Sequence, residues 1–573
     1  MRLYKDTVII AGTIFWELRI SMVEDLPTGY YLDNFRYLLT FVQGHYADVL
    51  NDSELRFCAD FEGLGRDTQR LYVRLVGRKG PYFRHDKLNY DEIADLNCAL
   101  DQLVESGFVA RNHINDAGPW LSLATRPELL SHFEISNRTE RKDALSTAVV
   151  EGYTLSEIQN RLPFDLLEPR HEDALNVLRL LFFGNLYQDL TEFVLRDLGI
   201  SPYEKYPLDG RYFNQRQVVD DSLYAYQLQS MSYEVMGSSE ACLSEFAESL
   251  LLNLEMSTDP QLFRRHSKIL NRVARQLERE SASRLAMALY EKSGLTPARE
   301  RRSRLLVDEG QPALAISLCE AICDAPLSEA EFEFALSFAP RVAKKHQLPH
   351  AQVPSKQKDN FSVAPICIPY IEGQRVEQTA AEWIANDVGG GGLALHTVRY
   401  VENGLLPGLF GLYFWDVIFA PIPGVFFNPF QRGPADLFSE QFLTARQVVI
   451  EQRLEALGDV VAVEQKIRQT FIEKFGTANH FVMWRMLDQE LISLALERIP
   501  AQQLRAVFRR MLRDLKANRS GFPDLVVFPA ESGYELVEIK GPGDTLQHNQ
   551  KRWLRFFKQH DMSARVINVT WQA

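Results

Sequence analysis

Two periodicities divide this chain. Apolar residues at helical spacing dominate residues 29–345 and 440–515, whereas short apolar runs suited to strands gather near residue 525. In residues 29–110, Tyr31-Leu32, Phe35, Leu38-Leu39 and Val42 form one helix face, and the polar break Asn51-Asp52-Ser53 precedes a second helix. Asp91 to Phe108 reads as a further helix that ends in a winged-helix-like turn. Residues 120–150 predict helix, short loop, helix. Residues 171–216 predict a helix to Leu198-Gly199 and then an extended, Tyr-rich connection. Residues 240–345 predict almost continuous helix, and the polar, Pro-punctuated residues 346–372 read as a linker. Leu405 to Phe419 predicts a helix buried on most sides.

The pattern changes at GFPDLVVFPAESGYELVEIKGPGDTLQHNQKRWL, residues 521–554. Leu525–Phe528 and Tyr534–Ile539 are strand-like runs joined by turn residues Pro529 to Gly533, which predicts a hairpin. Glu538 and Lys540 lie two apart and share one face of the sheet. Asp524, at the start of the neighbouring strand, reaches that side. Two carboxylates and a lysine on one face suit a hard divalent cation with an ammonium beside it.

Three uses of this face are open. In metal-dependent phosphodiester hydrolysis, Asp524 and Glu538 bind Mg²⁺ or Mn²⁺ and the Ile539 carbonyl adds a ligand between them. Lys540 then orients the water and offsets charge in the transition state. A carboxylate pair acting on a sugar leaves Lys540 and the Pro-Asp context unexplained. The third use is a structural Glu–Lys pair on an exposed hairpin. Glu402, just before the buried helix, is either a cap or dipole residue or a third ligand, with Asp416 and Asp436 as rivals.

Composition narrows the picture. At 573 residues, 46% hydrophobic and 24% charged, the chain is long enough for several globular domains. A net charge of −13 gives no global nucleic-acid signature, but basic residues cluster locally. Arg74, Arg78, Lys79, Arg84 and Lys87 interleave with Tyr72, Tyr82 and Phe83, and Arg138, Arg141 and Lys142 form a second group. Arg264, Lys268, Arg272, Arg275 and Arg279 follow one helix line, and Arg505, Arg509, Arg510, Arg513 and Lys516 precede the Pro-Asp strand. Each cluster is either a phosphate contact or a solvated face. The six cysteines include no C-x-x-C pair, which argues against a zinc site and fits a reducing compartment. The run Gly389 to Gly392 lacks a P-loop Gly-Lys-Ser/Thr and reads as a loop. The apolar part of residues 1–20 is too short to span a bilayer and holds Glu17, so residues 1–28 read as an extension. No other segment predicts a membrane span.

The hairpin, with LVEIKGPGDTLQHNQKRWL, resembles the VRR-NUC branch of the PD-(D/E)xK nucleases. YVENG, GLYFWDVIF and PADLFSEQFLTAR resemble the same domain in the Fanconi-associated nuclease family. YYLDNFRYLL, SAP-like helices in 120–150 and a tetratricopeptide-like helix pair near Ala286 to Ala313 follow in that family's order. The resemblance covers most of residues 29–573 and is most specific in 396–554. It implies a multidomain protein, mostly α-helical ahead of a C-terminal α/β PD-(D/E)xK domain. The corresponding segments are 1–118 (helical, DNA-binding), 119–216 (SAP-like), 217–350 (tetratricopeptide-like) and 373–573 (VRR-NUC). The implied activity is 5′-flap endonuclease and 5′→3′ exonuclease cleavage of branched DNA, in interstrand crosslink repair. By motif match Glu402, Asp524 and Glu538 are metal ligands, Lys540 is catalytic, and His548 and Gln550 are polar supports on the helix behind the site. Thr545 stands where relatives often carry Arg, so Asp544 reads as the cap of the next helix. The resemblance further implies an intracellular monomer or weak dimer that works with the DNA. A junction resolvase, a non-catalytic branched-DNA binder and a helical-repeat scaffold remain alternatives.

Overall fold

The computed structural model describes residues 27–572, apart from 137, 191–192, 194–201, 238, 350–352, 356–358, 360 and 387–395. The N-terminal extension up to residue 26, the helix end at Leu198-Gly199 and the Gly389 to Gly392 run lie outside the described residues. The chain forms two compact units, one of Met1–Pro202 with Arg211–Leu223 and one of Tyr203–Gly210 with Tyr224–Ala573.

In the first unit the polar break at residue 51 is a helix start. Asn51 accepts from the amides of Ser53 and Glu54, and the Glu54 carboxylate returns to the Asn51 amide, so helix Asp52–Gly63 begins with a reciprocal cap. The helix expected over Asp91 to Phe108 is shorter, Leu96–Glu105, because Asp95 caps it. Strands β1 (Phe83–Arg84), β2 (Val109–Arg111) and β3 (Leu166–Pro169) form an antiparallel sheet in the order β1-β3-β2. The two helices expected over 120–150 are part of a set of four: Ala117–Leu123, Arg126–His132, Lys142–Gly152 and Leu155–Arg161. Thr125 with Glu128, and Thr154 with Glu157, make the capping boxes that open two of them. Trp120, Leu129, Leu145, Val149 and Phe164 form their core.

In the second unit a run of helices spans Glu240 to His346, packed through Leu270, Val273, Leu277 and Leu289 among others. A five-stranded sheet follows: β4 (Ser362–Ile368), β5 (Thr397–Tyr400), β6 (Leu525–Phe528), β7 (Glu535–Lys540) and β8 (Ala564–Trp571), ordered β4-β8-β7-β6-β5. β6 is antiparallel to β5 and β7, while β8 is parallel to β7 and β4. The linker reading of 346–372 is therefore corrected, since residues 362–368 are an edge strand. The single helix expected from Leu405 to Phe419 is two, Leu405–Tyr413 and Trp415–Ile418.

Side-chain alternation sorts the sheet into two faces. Leu525, Val527, Val537 and Ile539 pack with Ala380 and Ile384 of helix Val376–Ala385. Val526, Phe528 and Leu536 join the larger core with Phe410, Phe508, Trp553 and Phe557, from helices Leu405–Tyr413, Ala501–Arg513 and His548–Gln559. By the same period Asp524, Glu538 and Lys540 belong to this second face. The approach to Asp524 bends at Gly521, with φ of +93° and room for no Cβ: one would lie 2.9 Å from Asn549 Cγ. Gly521→Ala should lower stability by roughly 1–3 kcal/mol through strain and close contact. A urea unfolding midpoint equal to the parent's would contradict that packing.

Candidate active site

The site is built where β5, β6 and β7 end. β6 sets Asp524 beside β7, and the Ile539 amide donates to Asp524 Oδ2 at 2.8 Å. Glu538, buried within β7, accepts from Gln550 Nε2 at 2.5 Å and pairs with Lys540 Nζ at 2.9 Å through the same Oε1. Gln550 is well held, because its own Oε1 caps the first turn of helix His548–Gln559 by accepting from the Gln547 amide. Lys540 is mostly buried, with a side chain 13% exposed.

Glu402 arrives on the turn after β5. The Val401 amide donates to the Asp524 carbonyl at 2.7 Å, extending the β5–β6 pairing past the strand ends. Asn403, in the left-handed region at φ of 51°, accepts from the amides of Gly521 (2.8 Å) and Phe522 (3.1 Å). One Asn side chain thus ties the Glu402 turn to the Pro-Asp approach. Gly404 is the N-cap of the helix that follows, so Glu402 is not its cap; its carboxylate accepts from the Tyr400 hydroxyl.

Burial, reinforced by neighbouring negative charge, sets the electrostatics at these strand ends. Burial, above all, pushes the Asp524 carboxyl up to about 6, and Glu377 and Glu402 push in the same direction against the Ile539 amide and Lys540. Burial followed by the Asp524 charge pushes Glu538 up to about 8, opposed by Lys540. Tyr400 is raised by burial, by its bond to Glu402 and by the charges of Asp524 and Glu377. The buried pair Asp524 and Glu538 therefore lies near two further carboxylates, Glu377 and Glu402, with Lys540 beside them. That suits the oxygen-rich, anionic donor set of a hard divalent cation. Among the described residues, no three carboxylate, imidazole or thiolate groups are already close enough together to chelate one.

The structure brings Glu402, Asp524, Glu538, Ile539, Lys540 and Gln550 together. It leaves others apart. His548 is exposed in the first turn of its helix and makes none of the site's hydrogen bonds. Asp544 does not cap that helix, whose N-cap is Gln547; the Asp544 carboxylate accepts from the Gly541 amide at 3.0 Å and closes the turn after β7. Asp416 pairs with Arg453 and Lys466, and Asp436 with Arg446, so neither rival is free. The residues that sequence reasoning passed over are Asn403, Tyr400 and Glu377. An Asn-Gly turn directly after Glu402 was a readable signal for the first. The other two depend on which distant strand or helix lies alongside.

The basic clusters also divide. Arg84 is buried, chelated by Asp86 and Glu128 and stacked 3.9 Å over Phe164, so it is a structural residue and the DNA-contact reading is corrected. Arg74 likewise is bound to Glu92 and lies 4.1 Å over Tyr31. Arg78 touches the Tyr90 hydroxyl but stays exposed with Lys79, beside a cleft of about 330 Å³ shared with Tyr82, Phe83 and Lys87. Lys142 donates to the Ser122 carbonyl, next to an exposed Arg141. On helix Pro260–Arg279, Arg264 donates to the Phe438 carbonyl, Arg272 stacks on Tyr233 and Arg275 pairs with Glu278. Lys268 is crowded: partial desolvation lowers its pKa, and Lys516, Arg264, Arg265 and Arg272 lower it further. Arg513 is exposed, Arg509 is 3.6 Å from Glu451, and Arg510 is buried against Glu329.

Comparison with known proteins agrees with this architecture. The VRR-NUC domain model matches residues 460–571, and the model of the FAN1 HTH domain matches residues 29–110. The Fanconi-associated nuclease 1 homolog of Pseudomonas aeruginosa is 38% identical, over 95% of this chain and 96% of its own length. The human Fanconi-associated nuclease 1 is 24% identical over 94% of this chain, which spans 62% of that longer protein. The crystal structure of paFAN1 bound to a 2-nucleotide 5′-flap DNA with a gap superposes with a TM-score of 0.84 at 36% identity, covering 96% of this chain and 100% of that one. No helix among the described residues is long and apolar enough to cross a membrane. The chain belongs to the Fanconi-associated nuclease 1 family and is a structure-specific DNA nuclease of the VRR-NUC type.

Proposed function

We propose that this nuclease cuts branched DNA carrying a 5′ flap, with Glu402, Asp524 and Glu538 holding the divalent cation and Lys540 serving the reaction directly. The observation that carries the reading is the buried Asp524–Glu538–Lys540 constellation on one sheet face, inside the residues matched by the VRR-NUC domain. The family depends on a divalent metal, and hard carboxylate oxygens favour Mg²⁺ or Mn²⁺. When bound, the cation polarises the phosphate and acidifies a water. The chain supplies the rest. The Ile539 amide fixes the Asp524 carboxylate, Gln550 fixes Glu538, and the Ile539 carbonyl is a further candidate ligand between them. Lys540, anchored on Glu538, would present its ammonium to the attacking water and to the charge on the phosphoryl oxygens.

The flap reading rests on one relative, paFAN1, crystallised with 1- and with 2-nucleotide 5′-flap DNA, and 5′→3′ exonuclease cleavage and crosslink repair are proposed with it. Exposed Lys79, Arg141, Lys268 and Arg513 are the basic positions best placed for phosphate, with Arg78 and Arg509 beside them. The division into segments 1–118, 119–216, 217–350 and 373–573 belongs to the same proposal. So does an intracellular site of action with the DNA.

A labelled 5′-flap duplex with Mn²⁺ is the direct test. Asp524→Ala and Lys540→Ala should each slow cleavage by at least about a hundredfold. Cleavage at the parent's rate would refute the assignment, and four-way junctions cut in preference to flaps would favour a resolvase. Proton linkage gives an independent check. Both carboxyls are raised above their unfolded values, so the metal-free folded chain keeps protons that the unfolded chain has lost. Their stabilising contribution is present at acid pH and fades as pH rises through about 6 and then about 8. Cation binding between those values should expel protons. Calorimetric heats of Mn²⁺ binding should then vary with buffer ionisation enthalpy in the parent and much less in Glu538→Gln; buffer-independent heats in the parent would refute the ligand set.

A further inference from the structure

Helix His548–Gln559 is held from two sides. Its inner side meets the site: Gln550 donates to Glu538, Trp553 Nε1 donates to the Ser520 carbonyl at 3.2 Å, and the Trp553 ring lies 4.1 Å from that of Phe522. At about 100° per residue, Arg552 and Arg555 point roughly 200° and 140° away from Gln550. They meet helix Glu329–His346, which precedes the nuclease sheet. Arg552 Nε is 3.7 Å from Glu329 and its Nη1 is 3.6 Å from Glu333. Arg555 pairs with Glu333 and reaches Asp359 at 3.3 Å, and Lys551 is 3.8 Å from Asp359.

A third arginine comes from helix Ala501–Arg513. Arg510 lies over the rings of Trp553 (4.6 Å) and Phe556 (4.8 Å), is 8% exposed, and donates to Glu329 Oε2 at 2.6 Å. Its Nε has no hydrogen-bond partner, and burial depresses its pKa against the pull of Glu329. A guanidinium this deep is costly without a counter-charge. Glu329 supplies that charge from outside the sheet.

We propose that Glu329 and Glu333 are positioning residues of the nuclease reaction. Through Arg510, Arg552 and Arg555 they fix the depth and rotation of the helix that presents Gln550 to Glu538. This inference rests on the assignment of Glu538 as a cation ligand. Groups that orient a metal ligand typically cost about 10- to 100-fold when removed, and a carboxylate released from Gln550 meets the cation in a broader range of orientations.

The test is Glu329→Gln combined with Glu333→Gln in the full chain, with Mn²⁺ and a 5′-flap duplex. kcat should fall by about 10- to 100-fold while KM stays within about twofold, because the substrate's own contacts are untouched. Mn²⁺ binding by calorimetry should weaken severalfold. In a Gln550→Ala background the same pair should add no further loss of kcat, since its effect runs through that side chain. Glu333→Asp, which keeps the charge facing Arg552 and Arg555, should retain most of the activity that Glu333→Gln removes. Unchanged kcat, a loss confined to KM, or losses that multiply with Gln550→Ala would overturn the proposal. If the double variant melts early, Glu333→Gln alone carries the same comparisons. Should the parent leave flaps uncut, the flap assignment fails by itself, and the Mn²⁺ affinities still decide the role of the two glutamates.

Discussion

One hydrogen bond sets the terms for the rest of the site: the amide of Ile539 donated to the carboxylate of Asp524. It joins two strands through a side chain, and it fixes a carboxylate in a place where water is scarce. Burial makes the charged form of that carboxylate expensive, and the neighbouring acids add to the cost. The surrounding structure answers that cost. Asn403 holds the backbone ahead of Asp524, Gly521 lets helix His548–Gln559 come close, and Gln550 and Lys540 share the oxygen of Glu538. A site of this kind is preorganised by its hydrogen bonds and kept under electrostatic strain by its excess of acid.

What could be read in advance was local. The hairpin and the alternation that puts Asp524, Glu538 and Lys540 on one face follow from a period of two over a few residues, and the fold has them there. β4 was hidden because an edge strand exposes much of itself and tolerates a proline. Its Pro365 and half-exposed residues therefore look like a linker. Tyr400 and Glu377 were hidden for another reason. Nothing near them in sequence says that they face Asp524, more than a hundred residues away. Asp544 looked like a cap and closes a turn, a difference of three residues in where the helix starts.

Arginine was the least legible residue type. A run of positive charge reads the same whether it faces solvent, DNA or a buried glutamate. Here Arg84, Arg446 and Arg510 are internal, each against a carboxylate and an aromatic ring. Guanidinium suits that use because it is planar, weakly hydrated and always charged. The acidic net charge of the chain therefore coexists with arginines spent on architecture, and the cations left for phosphate are fewer than the sequence counts suggest.

The order of strands has a consequence for synthesis. β8, which comes last along the sequence, lies between β7 and β4 and pairs with both. β5 and β6, which bring Glu402 and Asp524 together, are separated by the whole helical insertion of residues 401–524. Closing such distant pairs is slow compared with forming helices, and a chain leaving the ribosome forms its N-terminal parts first. A growing chain can thus build its helical units well before it owns a complete cutting site, and one that halts short of residue 564 lacks the strand that joins β4 to β7. The five strands that frame the site therefore cannot all pair until residues 564–571 have been made, long after the helices ahead of the sheet.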